Sequence, residues 1–141
     1  MKKSYLFLFL FTFSLSPLLA QGVVYSKEQA NSIYGPVLVT KEIQSILLSK
    51  YFNQTNGKLM FRIYNDYVVI LDDQRNQLYP GGASVGLTDK FRVFSTELIN
   101  EILTNGGNSV TSIELRNNEV ISLTNGDQTL EYGGFCPPYC P

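Results

Sequence analysis

Histidine is absent from all 141 residues, and so is tryptophan. The missing histidine excludes most. It is the usual general base near neutral pH and the commonest metal ligand. Without it there is no Ser-His-Asp or Cys-His arrangement and no HExxH zinc helix. Catalysis is left with carboxylate pairs, a lysine base or a carboxylate-held metal. Cysteine is almost as scarce. The only two, Cys136 and Cys140, lie in the closing stretch "GGFCPPYCP". A zinc site needs about four ligands, and one chain supplies only this pair of thiols. A thioredoxin-type pair sits two residues apart at a helix start. Here three residues intervene, and two of them are prolines that oppose a helix. The expected state is a Cys136–Cys140 disulfide that closes a stiff C-terminal turn, in a chain exported to an oxidising compartment. Neither a metal nor another cofactor is expected.

A basic excess is lacking as well. Eleven lysines and arginines stand against twelve acids, with no basic stripe, so nucleic acid is not an expected partner. The one long apolar run is at the start, "MKKSYLFLFLFTFSLSPLLAQG". Lys2 and Lys3 form a positive n-region, Tyr5 to Leu15 an apolar h-region, and Ala20 ends a small-residue cleavage motif. This reads as a signal peptide over residues 1–20. It is shorter than the ~20 apolar residues of a spanning helix, so no membrane span is expected after cleavage. The mature chain, residues 21–141, then has nine basic and twelve acidic residues. Its expected location is periplasmic or extracellular.

What the mature chain does contain is a pattern that returns. Shifted by 52 residues, Glu42–Gly82 lies on Phe94–Gly134 with eight identities, among them Asn65/Asn117, Val68/Val120, Leu71/Leu123 and Gly81-Gly82/Gly133-Gly134. Apolar positions also fall on apolar positions, as in Phe61/Ile113 and Ile63/Leu115. Two similar units are expected, about 37–82 and 90–134, followed by the tail 135–141. Each reads as helix, strand, strand, strand. In the first, Thr40 caps a helix whose stripe is Ile43, Ile46, Leu47 and Tyr51. In the second, Ser95 or Thr96 caps a stripe of Leu98, Ile99, Ile102 and Leu103. Period-two alternation marks Leu59-Phe61-Ile63 and Thr111-Ile113-Leu115 as strands, with turns at Asn65-Asp66 and Asn117-Asn118. The apolar stretches "PVLV" and "FRVF" before each helix are candidate extra strands. A short helix is expected from Ser26. The fold class is α+β: an antiparallel sheet with the helices on one face, in a single domain.

The same alternation assigns an outer sheet face. In the first unit it holds Met60, Arg62 and Tyr64, joined across the hairpin by Val68 and Ile70. In the second it holds the more polar Ser112, Glu114, Arg116, Val120 and Ser122. A mixed apolar, aromatic and arginine face suits a partner, whereas a polar one suits water. Residues 21–35 are the rival cover for the first-unit face. The scattered carboxylates, Glu114 and Glu131 among them, read as solvated surface. "DDQRNQ" over 72–77 breaks the calcium-loop pattern at its glycine and glutamate positions and reads as a turn. The functional expectation is therefore a small exported binding or structural module for a protein or peptide, without catalysis. Homodimerisation through the same face fits equally. The alternatives are a histidine-free carboxylate enzyme and, more weakly, thiol–disulfide exchange at Cys136 and Cys140.

Overall fold

The computed structural model describes residues 22–64, 67–81, 85–86, 88–131 and 134–136, with Asn118 and 134–136 described through their backbone only. Along the chain run β1 (Val23–Ser26), α1 (Lys27–Tyr34), β2 (Val37–Gln44), α2 (Ser45–Lys50) with a 3-10 turn at Tyr51–Gln54, β3 (Lys58–Tyr64), β4 (Tyr67–Leu71) and β5 (Gln77–Tyr79). Then follow β6 (Phe91–Ser95), α3 (Thr96–Gly106), β7 (Val110–Arg116), a 3-10 turn at Asn117–Glu119, β8 (Ile121–Asn125), β9 (Gln128–Glu131) and β10 (Gly134–Cys136). The fold is α+β with antiparallel sheets. The strands divide between two five-stranded sheets: β1-β9-β8-β7-β2, sheet A, and β10-β6-β3-β4-β5, sheet B.

Both halves run strand, helix, strand, strand, strand, but their leading strands are exchanged. β2 precedes β3 in the chain and lies on β7, while β6 precedes β7 and lies on β3. Neither half therefore owns a complete sheet. The ungapped 52-residue match also fails at the hairpins. Phe61 faces Ile70, yet its counterpart Ile113 faces Leu123, one position further on. The 3-10 turn at Asn117–Glu119 takes up the extra residue. Val68/Val120 and Leu71/Leu123 are thus not equivalent ladder positions.

Local chemistry explains the helices. Ser26 caps α1 with a capping box: its hydroxyl accepts from Gln29 N at 3.2 Å, and the Gln29 side chain accepts from Ser26 N at 3.0 Å. Ser95 caps α3, accepting from Leu98 N at 3.2 Å, and Gly107 ends it in the left-handed region at φ 67°. The expected helix from Thr40 is corrected. Residues through Gln44 are strand, α2 starts at Ser45, and Ile46 is 66% exposed instead of belonging to a buried stripe. Val39, Thr40 and Ile43 are β-branched, and β-branching favours the extended ladder they form with β7.

One core joins the sheets and helices α2 and α3. Its centre holds Leu48, Phe61, Ile70, Phe94, Ile102 and Leu123, with Phe61 and Phe94 edge-on at 5.9 Å. Each such buried side chain contributes roughly 2–3 kcal/mol over its exposed state. A smaller cluster, Met60, Val69, Leu71, Phe91 and Val93, lies on the opposite face of sheet B.

The outer face of sheet A is polar but not solvated, which corrects the expectation for Glu114, Arg116, Ser122 and Glu131. All four are buried. Arg116 donates from Nε to Ser122 Oγ at 2.8 Å, with Glu131 Oε1 at 2.9 Å, and from Nη2 to Glu114 Oε2 at 3.1 Å. Its Nη1 reaches Asn31 Oδ1 at 2.7 Å and Gly35 O at 2.6 Å, tying α1 and its C-terminal cap to this face. Residues 22–35 therefore cover sheet A, through β1 on β9 and α1 above Arg116, and not the first-unit face.

Candidate functional site: a groove between the sheets

The five residues expected to form a partner-binding face fall on two faces. Tyr64 stands opposite Tyr67, so Arg62 faces Val69 and Met60 faces Leu71. Directly opposed residues share a face, so Val69 and Leu71 join Met60, while Val68 and Ile70 turn into the main core beside Phe61. Met60 is buried too. Arg62 and Tyr64 remain half-buried at the hairpin end.

The rest of that face is strapped by the chain's own residues 85, 86 and 88–90. Val85 packs on the Met60 cluster. Arg75 donates from Nη2 to Gly86 O at 3.0 Å and Asp89 O at 3.2 Å, with its guanidinium 5.3 Å from the Phe91 ring centre. Tyr64 donates its hydroxyl to Asp89 Oδ2 at 2.7 Å, and Gly86 N donates to the same oxygen at 3.0 Å. Arg62 donates from Nη1 to Lys90 O at 3.0 Å. These donors hold the Asp89 carboxyl below the ordinary carboxylate range, the Tyr64 hydroxyl most of all. Burial, and then donation to Asp89, push the Tyr64 phenol up to about 12. The folded chain therefore favours the neutral phenol, and this contribution to stability is lost as pH climbs from 10 towards 12. An ultraviolet titration of the native protein is expected to show a tyrosine ionising near 12 that vanishes in Tyr64→Phe. Burial raises Tyr51 as well, so the contact is dismissed if Tyr64→Phe removes no late-ionising phenol from the titration.

Beside the strap, the ends of the two sheets leave a groove of about 470 Å³. Ile63 of β3, Leu115 of β7 and Ile121 of β8 supply its apolar surface, at the open end of the common core. Arg62, Lys90 and Arg92 bring three cations, and Asp89 and Glu119 two carboxylates. Arg92 shares its face of sheet B with Phe61, and burial lowers its pKa against the attraction of Glu119. Glu119 sits at φ 59°, a left-handed backbone uncommon outside glycine. Next to the groove the Tyr64 and Tyr67 rings stack at 5.5 Å, Arg62 lies 4.7 Å from the Tyr64 ring centre, and Tyr67 is 45% exposed. None of Lys90, Arg92, Leu115 and Glu119 stands out in the sequence as a site residue. Only the exchange of leading strands brings the 88–92 stretch and the β7–β8 hairpin to one place.

The carboxylates of the turn at 72–76 are engaged within the fold. Asp72 Oδ1 accepts from Gln74 N at 2.9 Å and Asn76 N at 2.7 Å, and Asp73 Oδ1 accepts from Thr55 Oγ1 at 2.9 Å and Asn56 N at 3.0 Å. Among the described residues no three metal-ligating side chains converge, and no helix is long and apolar enough to cross a membrane. Pairing of Cys136 with Cys140 lies outside the described residues. Comparison with protein-family models, curated proteins and solved structures finds no match.

Proposed function

We propose that this chain is an exported, non-catalytic binding module that holds a segment of a protein or peptide partner in the groove between its sheets. The observation that carries this reading is the groove itself: an apolar surface of Ile63, Leu115 and Ile121, a charged rim rich in arginine and lysine, and a stacked, half-exposed tyrosine pair alongside. Aromatic and arginine side chains around a small apolar depression are the usual anchors of protein interfaces. Catalysis by a carboxyl pair has less support. Asp89 is committed to Tyr64 and Gly86 and held in its charged form. The carboxyl whose pKa is raised, Glu131, is fully buried outside the groove.

Random peptides displayed against the mature chain test the reading. Selected peptides are expected to pair an acidic with an apolar residue. They should bind Arg92→Glu and Tyr67→Ala at least about tenfold more weakly, and Lys50→Glu, away from the groove, unchanged. Peptides indifferent to all three substitutions would move the site elsewhere. Export rests on the Lys2-Lys3 and Tyr5–Leu15 pattern. N-terminal sequencing of the exported protein is expected to begin at Gln21, and a start at Met1 would remove that part of the proposal.

A further inference from the structure

The two sheets differ at their edges. β2 and β6 each lead into a helix, and each pairs with the first strand of a hairpin, β2 with β7 and β6 with β3. On its other side β6 carries β10, antiparallel, through Gly134↔Val93, Phe135↔Arg92 and Cys136↔Phe91. The corresponding side of β2 has no partner among the described residues. One seat is filled within the molecule, and among the described residues its counterpart is open.

The open seat is large and its backbone is aimed. β2 is the longest strand, eight residues, whereas the other edge strands, β1, β5 and β10, have four, three and three. A bulge at Val37–Val39 disturbs its start, which leaves 39–44 regular. Ser45 N donates to Ser109 O at 2.8 Å, which sets the parity of the ladder. Residues 39, 41 and 43 direct their backbone groups to β7, and Thr40, Glu42 and Gln44 direct theirs outward. Exposed apolar side chains flank its two ends: Leu38 at 59% near the start and Ile46 just past the finish, with Val110 opposite Gln44. Between α1 and β2 a depression of about 440 Å³, lined by Lys27, Asn31, Pro36, Thr40 and Glu114, stands ready for a side chain of an added strand.

We infer that β2 is a docking edge for an extended segment of a partner protein, which adds antiparallel to it as β10 adds to β6. Charge selects that occupant over a second copy of this chain. The two face-matched self-pairings that use 39–44 most fully, centred on residue 41 or residue 42, set Lys41 against Lys41 or Glu42 against Glu42, and opposed like charges destabilise a strand pair. A partner strand with an acid opposite Lys41, a base opposite Glu42 and apolar residues opposite Val39 and Ile43 complements every position. This inference stands apart from the groove, which lies at the other side of β7.

The probe is the acetylated, amidated peptide Thr-Val-Lys-Glu-Thr-Val-Leu-Val, fluorescently labelled and read by anisotropy against the mature chain. Saturable binding is expected. It should weaken at least about tenfold when the peptide is N-methylated at its lysine and at the threonine facing Thr40, since two edge hydrogen bonds are lost. The same loss is expected with Glu42→Pro. Residue 42 bonds outward, so proline removes the edge donor and spares the β2–β7 ladder. No binding by the folded protein at about 1 mM, or equal binding of the N-methylated peptide, overturns the inference. So does a dimer in sedimentation that Glu42→Pro abolishes, which would assign the edge to a second copy. The N-methylated arm decides the matter even if Glu42→Pro does not fold.

Discussion

Arg116→Ala is expected to lower the unfolding free energy by about 3–5 kcal/mol at pH 7, the scale of a buried ion pair stripped of one partner. The side chain of Arg116 has no solvent exposure, and its charge stands between Glu114 and Glu131, themselves buried. The guanidinium is bound on every side, by Ser122, Glu114 and Glu131 from the sheet and by Asn31 and the Gly35 carbonyl from α1 and its cap. Removing it leaves two carboxylates facing each other in a low-dielectric layer and frees α1 from the sheet. Thr124 donates to Glu114 at 3.0 Å and Ser122 donates to Glu131, but two hydroxyls do not replace a full charge. Even with Arg116 present, burial outweighs its attraction and raises the Glu131 pKa, and one Glu131 oxygen has no partner among the described residues.

The sign of the pH dependence follows. A carboxyl raised in the folded state binds its proton more tightly there than in the unfolded chain, so stability falls as pH rises through the interval between the two values. Loss of Arg116 raises the Glu131 pKa further and widens that interval upward. The deficit of Arg116→Ala should therefore shrink between pH 7 and pH 5 as the folded variant takes up protons. Urea unfolding at both pH values measures it. A deficit under about 1 kcal/mol, or one that grows on acidification, would show that the network is solvated. Replacing Glu114, Arg116 and Glu131 together by apolar residues of similar volume is a separate matter, because such exchanges are often neutral or stabilising.

That network also marks how far the sequence can be read. Ser26 and Ser95 announced α1 and α3 because a cap and its first turn are local chemistry. The alternation in Leu59-Phe61-Ile63 announced β3 for the same reason. "YVVIL" is different. Val68, Val69, Ile70 and Leu71 are all buried, on alternate faces against two clusters, so hydrophobicity cannot say which residue faces which way. Only the pairing of Tyr64 with Tyr67 decides it. Ile43 belongs at once to the helical spacing that runs on to Tyr51 and to the alternation of Val37, Val39 and Ile43, and contact with β7 settles the chain as strand up to Gln44. Glu114, Arg116, Ser122 and Glu131 are spread over 18 positions and meet because β7, β8 and β9 are neighbours. Of the groove's lining only Arg62 stood out in the sequence, with Tyr64 beside it. The groove's other half comes from a strand exchange that no local pattern encodes.

Gly106 and Gly107 separate the two reasons a glycine can be required. A β-carbon on Gly106 would overlap the carbonyl oxygen and side-chain oxygen of Asn125 and lie 2.6 Å from its carbonyl carbon. The end of α3 thus rests directly on the β8–β9 turn, with backbone in the way and no flexible side chain to yield. Asn125 is itself committed. Its Oδ1 accepts from Asn108 N at 2.9 Å, and its two amide protons serve four acceptors within 3.1 Å: Ser45 Oγ, Asn108 O, Val110 O and Thr111 Oγ1. A shift of Asn125 to admit the methyl therefore breaks bonds that join α2, β7 and β8. Gly106→Ala is expected to cost about 3 kcal/mol or more, overpacking and lost hydrogen bonds combined. Gly107 has open space within 4 Å, but its φ is +67°. Gly107→Ala should cost only about 1 kcal/mol, the conformational penalty alone, and Gly107→Asn less, because asparagine tolerates the left-handed region. Equal losses in the two alanine variants would refute the contact with Asn125. Because Asn125 also holds Ser45, the residue that follows β2, Gly106→Ala should loosen the end of the β2–β7 ladder, and faster amide exchange at Ile43 and Ser45 in that variant but not in Gly107→Ala would show it.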